Sequence, residues 1–102
     1  LSVESVYTFF KTYYFYHYKK QRSVMKNQVI SILNNFGIQE SQVANDVHFT
    51  RDLGLDSLDT VDLVMQLEQE FGIRIPDEDY PKLLTFQGVL NYLEDQHVSV
   101  PA

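Results

Sequence analysis

The sequence predicts an all-α fold: a small four-helix bundle of three main helices and one short helix, with a long loop between the first two main helices. Three observations carry this. From Asn27 onward apolar residues recur at helical spacing. Glycine and proline fall at the ends of those periodic stretches. No pair of alternating strands joined by a hairpin turn occurs, nor any internal repeat or low-complexity tract.

Residues 1–24 stand apart. They hold Lys11, Lys19, Lys20 and Arg22 against the single Glu4, a net of +3, and eight of the fourteen aromatic residues. We read them as a basic, aromatic-rich N-terminal extension: an upstream remnant, a leader or an added helix. A secretory signal puts its positive charges before an apolar core, whereas Lys19, Lys20 and Arg22 follow the aromatic run. Tyr13 to Tyr18 has strand propensity, yet the segment equally suits an extension of a helix.

A domain over residues 25–97 follows, with 98–102 as a C-terminal tail. In its first helix Val29, Ile30, Ile32, Leu33 and Phe36 form one apolar face, closed by Gly37 as a C-terminal cap. Gln39 to Arg51 reads as a loop pinned to the core by Val43, Val47 and Phe49. A second helix starts at Asp56 or Ser57 and runs to Phe71, with Gly72 ending it. Pro76 and Asp77 open a short helical segment to about Tyr80, limited by Pro81. The last helix, about Thr85 to Asp95, carries Phe86, Val89, Leu90, Tyr92 and Leu93.

Composition excludes several functions. The 102 residues are 44% hydrophobic and 22% charged, as expected of one globular domain. No run reaches the roughly 18 apolar residues of a membrane span. With no cysteine there is no disulfide, thiolate metal site or cysteine nucleophile. His17, His48 and His97 lack metal-ligand spacing. The net charge of −6 argues against nucleic acid, and residues 25–102 alone hold thirteen carboxylates against four cations, a net of −9.

The informative stretch is Asp52-Leu53-Gly54-Leu55-Asp56-Ser57-Leu58-Asp59-Thr60-Val61-Asp62-Leu63. A calcium loop starting at Asp52 needs glycine at its sixth position and glutamate at its twelfth; Ser57 and Leu63 stand there. Ser57 also lacks the flanking glycines of a hydrolase nucleophile elbow. By itself, Asp56-Ser57 is no more than a capped helix start. Residues 27–95 as a whole, however, resemble the acyl carrier protein family. Asp56-Ser57-Leu58 matches the family's attachment motif, and Leu53 to Met65 and Glu68 to Glu78 are similar to its fatty-acid-synthesis branch. The resemblance implies that Ser57, flanked by Asp56 and Leu58, receives 4′-phosphopantetheine from coenzyme A, and that the protein is a carrier and not an enzyme. It implies, as partners, a phosphopantetheinyl transferase and the ketosynthase, acyltransferase, reductase and dehydratase of fatty acid biosynthesis. A cytoplasmic monomer is expected, or an organelle protein if residues 1–24 are a transit peptide.

The second helix carries two apolar stripes. At about 100° per residue, Leu63, Val64, Leu67 and Phe71 cluster on one side, and Leu58, Val61 and Met65 on another. The first suits the core; with Ile75 and Leu84 we expect Leu63, Leu67 and Phe71 to line a pocket for an acyl chain. The second is bordered by Asp59, Asp62 and Glu68, giving a docking face for partners that present arginine and lysine. Gln69 stands where the family often has an acid. The alternatives are a carrier of a polyketide or other specialised pathway, or an organelle carrier acting as a subunit of a larger assembly. Peptide carriers usually have a glycine-rich approach to the serine, and D-alanyl carriers often have glycine at the place of Asp59, so both resemble this chain less.

Overall fold

The computed structural model describes residues 3–96; the tail expected at 98–102 lies outside them. Three α-helices, α1 (Val3–Asn34), α2 (Ser57–Phe71) and α3 (Phe86–Asp95), enclose the core, and a 3₁₀ segment, Asp77–Leu83, is the fourth short helix. Among the described residues there is no strand, only one isolated antiparallel bridge between His48 and Thr85, and no helix long and apolar enough to cross a membrane.

The expected first helix is longer than its apolar face. No glycine or proline interrupts the chain before Gly37, and aromatic residues and threonine cost only a few tenths of a kcal/mol each in a helix. Residues 3–24 therefore continue α1 as one rod. The helix ends as the sequence suggests: Gly37 takes φ +80°, and the N–H groups of Gly37 and Ile38 donate to the carbonyls of Asn34 (3.0 Å) and Leu33 (3.2 Å).

The 38–56 connection is held by α3 as well as by its own side chains. Val47 and Phe49 are buried and Val43 half-buried, as expected. Around them Phe49 N–H donates to the Leu84 carbonyl (3.0 Å), Phe86 N–H to Val47 (3.1 Å) and Gln87 N–H to Asn45 (2.9 Å). A short 3₁₀ turn, Glu40–Gln42, interrupts the loop.

Two expectations are corrected after Pro76. The short helix does not stop at Tyr80 but passes through Pro81 to Leu83. Proline removes one N–H, yet its fixed φ is compatible with a 3₁₀ turn. Asp79 holds the segment by accepting from the Tyr92 hydroxyl (2.8 Å) and pairing with Lys82 (3.3 Å). The three-residue turn also changes which leucine faces inward. Positions i and i+3 eclipse in a 3₁₀ helix, so Leu83 follows the half-buried Tyr80 into the core, while Leu84, expected inside, is 41% exposed.

The core gathers Met25, Val29, Ile30, Ile32 and Leu33 of α1, Leu63, Val64 and Leu67 of α2, and Phe86, Val89, Leu90 and Leu93 of α3, closed by Phe49 and Ile75. No described polar or charged residue is buried.

Candidate functional site

The loop delivers Ser57 to the surface by burying the residue two places before it. Gly54, at φ +73°, turns the chain in a way a side chain resists. Leu55 N–H then bonds to the Phe49 carbonyl (3.0 Å), and Leu55 is buried. From that anchor Asp56 caps α2: its Oδ1 accepts from Asp59 N–H (2.8 Å), and Asp59 Oδ2 accepts from Asp56 N–H (3.2 Å). This reciprocal box fixes the helix start. Sequence reasoning found the cap and missed its partner, though an acid three residues after a capping aspartate is the signal for it.

Ser57 is the first residue of α2 and exposed. The N–H groups of Ser57 and Leu58 have no intrahelical acceptor available, since they belong to the first turn. Asp59 N–H is already taken by Asp56. An anion esterified at Ser57 Oγ thus lies at the positive end of the helix dipole, beside unclaimed donors. The Ser57 hydroxyl makes no hydrogen bond to a described residue, so no base among the described residues activates it. His48, the histidine nearest in sequence, is engaged within its loop: Arg51 N–H donates to its Nδ1 (3.1 Å), and its own N–H donates to Asp52 Oδ2 (2.8 Å). Among the described residues no cluster of histidine and carboxylates suits a metal ion. The arrangement fits a serine that is modified by another enzyme.

Beside Ser57 runs the second stripe of α2. Leu58 is 78% exposed, Val61 44% and Met65 51%, whereas Leu63, Val64 and Leu67 are buried. The two faces separate as the helical arithmetic requires. Asp62 is exposed and its Oδ1 accepts from Gln66 Nε2 (3.4 Å); Asp59 is half-buried by its capping role. Glu68 differs from expectation. It turns toward the chain end of α2, where its Oε2 accepts from Ile75 N–H (2.9 Å) and its carbonyl accepts from Gly72 and Ile73. It braces the α2 C-terminus, leaving the rim of the strip to Asp56, Asp59 and Asp62. Of the expected pocket residues, Leu63, Leu67 and Ile75 are buried together, Phe71 is half-buried against them, and Leu84 lies outside.

These features fit a carrier domain: a helical bundle that displays an exposed serine at a helix start, with no described base beside it. Comparison with known proteins agrees. A family model described as a phosphopantetheine attachment site matches residues 28–93. An acyl carrier protein of Chloroherpeton thalassium is 45% identical over 73 residues, covering 71% of this chain and 91% of that protein. The chain belongs to the acyl carrier protein family, and it is a carrier bearing a phosphopantetheine attachment site, not an enzyme.

Proposed function

We propose that Ser57 is the attachment serine, and that the chain carries acyl groups as thioesters for fatty acid synthesis. The observation that carries this reading is the exposed Ser57 at the α2 N-terminus, next to an exposed aliphatic strip with an acidic rim. When bound, 4′-phosphopantetheine supplies the thiol that a cysteine-free chain lacks. The chain's own contribution is to hold Ser57 Oγ in reach of solvent and to place helix donors around the attached phosphate. Leu58, Val61 and Met65 present an exposed apolar strip to a phosphopantetheinyl transferase or ketosynthase, with Asp59 and Asp62 drawing their arginines and lysines. Leu63, Leu67, Phe71 and Ile75 are the side chains an acyl chain meets if it enters the bundle.

Intact-protein mass spectrometry tests the assignment. Incubated with coenzyme A, magnesium and a phosphopantetheinyl transferase, the protein gains one phosphopantetheine, and Ser57→Ala gains none while keeping its helical signal. Modification at a different serine sinks the assignment. Loading the product with acyl chains from C4 to C10 reads out the interior: each CH₂ buried contributes about 0.8 kcal/mol before ordering costs, so melting temperature climbs with length until the space is filled. Equal melting temperatures place the chain outside the bundle.

A further inference from the structure

The described part of the arm leaves an unusual surface open. From Val3 to Gln21 every residue of α1 is exposed, a rod of about 28 Å at 1.5 Å per residue. Its base is tied to the bundle through Tyr18 and Arg22, both donating to the carboxylate of Glu94. On one side the rings of Phe9, Phe10, Tyr13, Tyr14 and His17 pack into a continuous slab, with neighbouring centroids 4.2–6.5 Å apart. Phe15 lies off this slab under the ammonium of Lys19, 4.7 Å from its ring centre. Thr8, Thr12 and Lys19 occupy the opposite side by helical spacing.

The geometry points to a second copy of this chain as the occupant of that slab, its arm lying antiparallel. Three features carry the proposal. First, Val3, Val6, Phe10, Tyr13, His17, Lys20 and Val24 follow one another at alternating steps of three and four, the a/d seam of a helix pair. In an antiparallel pair whose facing residue numbers sum to 23, Phe10 meets Tyr13 and Val6 meets His17 of the other copy, so the seam is self-complementary, as a two-fold dimer needs. Second, the area suffices. With aromatics at roughly 150–250 Å² each and about half to two-thirds of that exposed, Tyr7, Phe9, Phe10, Tyr13 and Tyr14, with Val3 and Val6, offer on the order of 500–600 Å² per arm. A pair hides about 1,000–1,200 Å², the lower edge of a stable interface, whereas one such patch is near the most a monomer usually leaves open. Third, charge selects the orientation. Lys19, Lys20 and Arg22 all lie at the base of the arm beside the acidic bundle. A parallel pair brings like ends together; an antiparallel pair sends them to opposite ends. A lipid surface fits less well. Anionic headgroups repel the acidic bundle at the foot of the rod. This proposal sets a dimer against the monomer expected above.

Sedimentation equilibrium of the full chain decides it. We expect a mass of twice 11.9 kDa at about 100 µM, falling toward the monomer on dilution, as suits an interface of this size. Phe10→Glu and Tyr13→Glu give monomers with unchanged melting of the bundle by circular dichroism, and Thr12→Glu on the opposite side stays dimeric. Since the chain has no cysteine, Val6→Cys mixed with His17→Cys yields mixed disulfide dimers if the arms are antiparallel, and His17→Cys alone cross-links poorly. A monomer at 100 µM overturns the proposal, as does a chain that stays monomeric and binds phosphatidylglycerol vesicles. Loss of the dimer in Met65→Glu also overturns it, because the arm then docks on α2.

Discussion

The two halves of α1 are one helix with two different physical fates. Residues 25–34 place Met25, Val29, Ile30, Ile32 and Leu33 in the core. Residues 3–21 are richer in large apolar side chains, yet all of them are exposed. The difference lies in what faces them. Met25 onward lies against α2 and α3, whereas the arm extends past the end of the bundle and lengthens the molecule to 57 Å against 29 and 21 Å across. Hydrophobicity marks surface that can be buried; only a facing element decides whether it is.

The largest expected effect sharpens that contrast. Leu33→Ala removes a fully buried side chain and should cost about 2–5 kcal/mol of bundle stability. Starting the chain at Met25 removes all eight arm aromatics, yet should cost no more than about 1 kcal/mol, because the arm is tied to the bundle mainly by a partly exposed ion pair at Glu94. Thermal or urea unfolding of both variants, at concentrations low enough to keep arms apart, checks the pair. A truncated chain that unfolds would make the arm part of the domain.

Next in size is a pH effect that belongs to the bundle alone. Burial, with the hydrogen bond to Asp79 adding to it, pushes the Tyr92 hydroxyl up to about 12. A phenol whose folded value lies above the unfolded 10 stabilises the fold fully below pH 10, and that stability is lost as pH rises from 10 toward 12, about 1–3 kcal/mol in all. The same bond holds Asp79 below its ordinary value, so on the acid side its stabilisation is present above pH 3.8 and lost as pH falls further. Tyr92→Phe should flatten both limbs of a stability–pH curve, and the chain starting at Met25 should keep them. If truncation alone removes the alkaline limb, arm tyrosines and not Tyr92 produce it.

How much of this was legible follows the same division. Where a side chain's role is set by neighbours in sequence, the chain announces it: Asp56 as a cap, Gly37 and Gly72 as helix ends, and the two stripes of α2 from a single angle per residue. What was not legible depends on partners far along the chain. Leu83 replaces Leu84 because a 3₁₀ segment survives Pro81 through contacts with Tyr92, thirteen residues beyond Asp79. Glu68 turns from the rim expected beside the second stripe because the backbone of Ile75 returns beneath it and donates to its carboxylate. The arm's helix was open to doubt because its residues have mixed propensity and no bundle partner to fix a periodicity.

The smallest effect on stability carries the most information about the surface. Asp62 is exposed, so Asp62→Lys should change stability by within about 0.5 kcal/mol. The bundle's net of −9 nevertheless attracts basic partners before contact, and such steering weakens as screening shortens its range to about 10 Å at 0.1 M salt. Asp62→Lys should slow association with a phosphopantetheinyl transferase and flatten its salt dependence. Glu4→Lys makes the same change of charge on the arm and should leave both nearly untouched, because Glu4 lies far from Ser57 along the rod. Stopped-flow association at two salt concentrations separates the cases. Equal slowing by both substitutions would mean that net charge guides the encounter, and that the acidic rim of α2 has no special place in it.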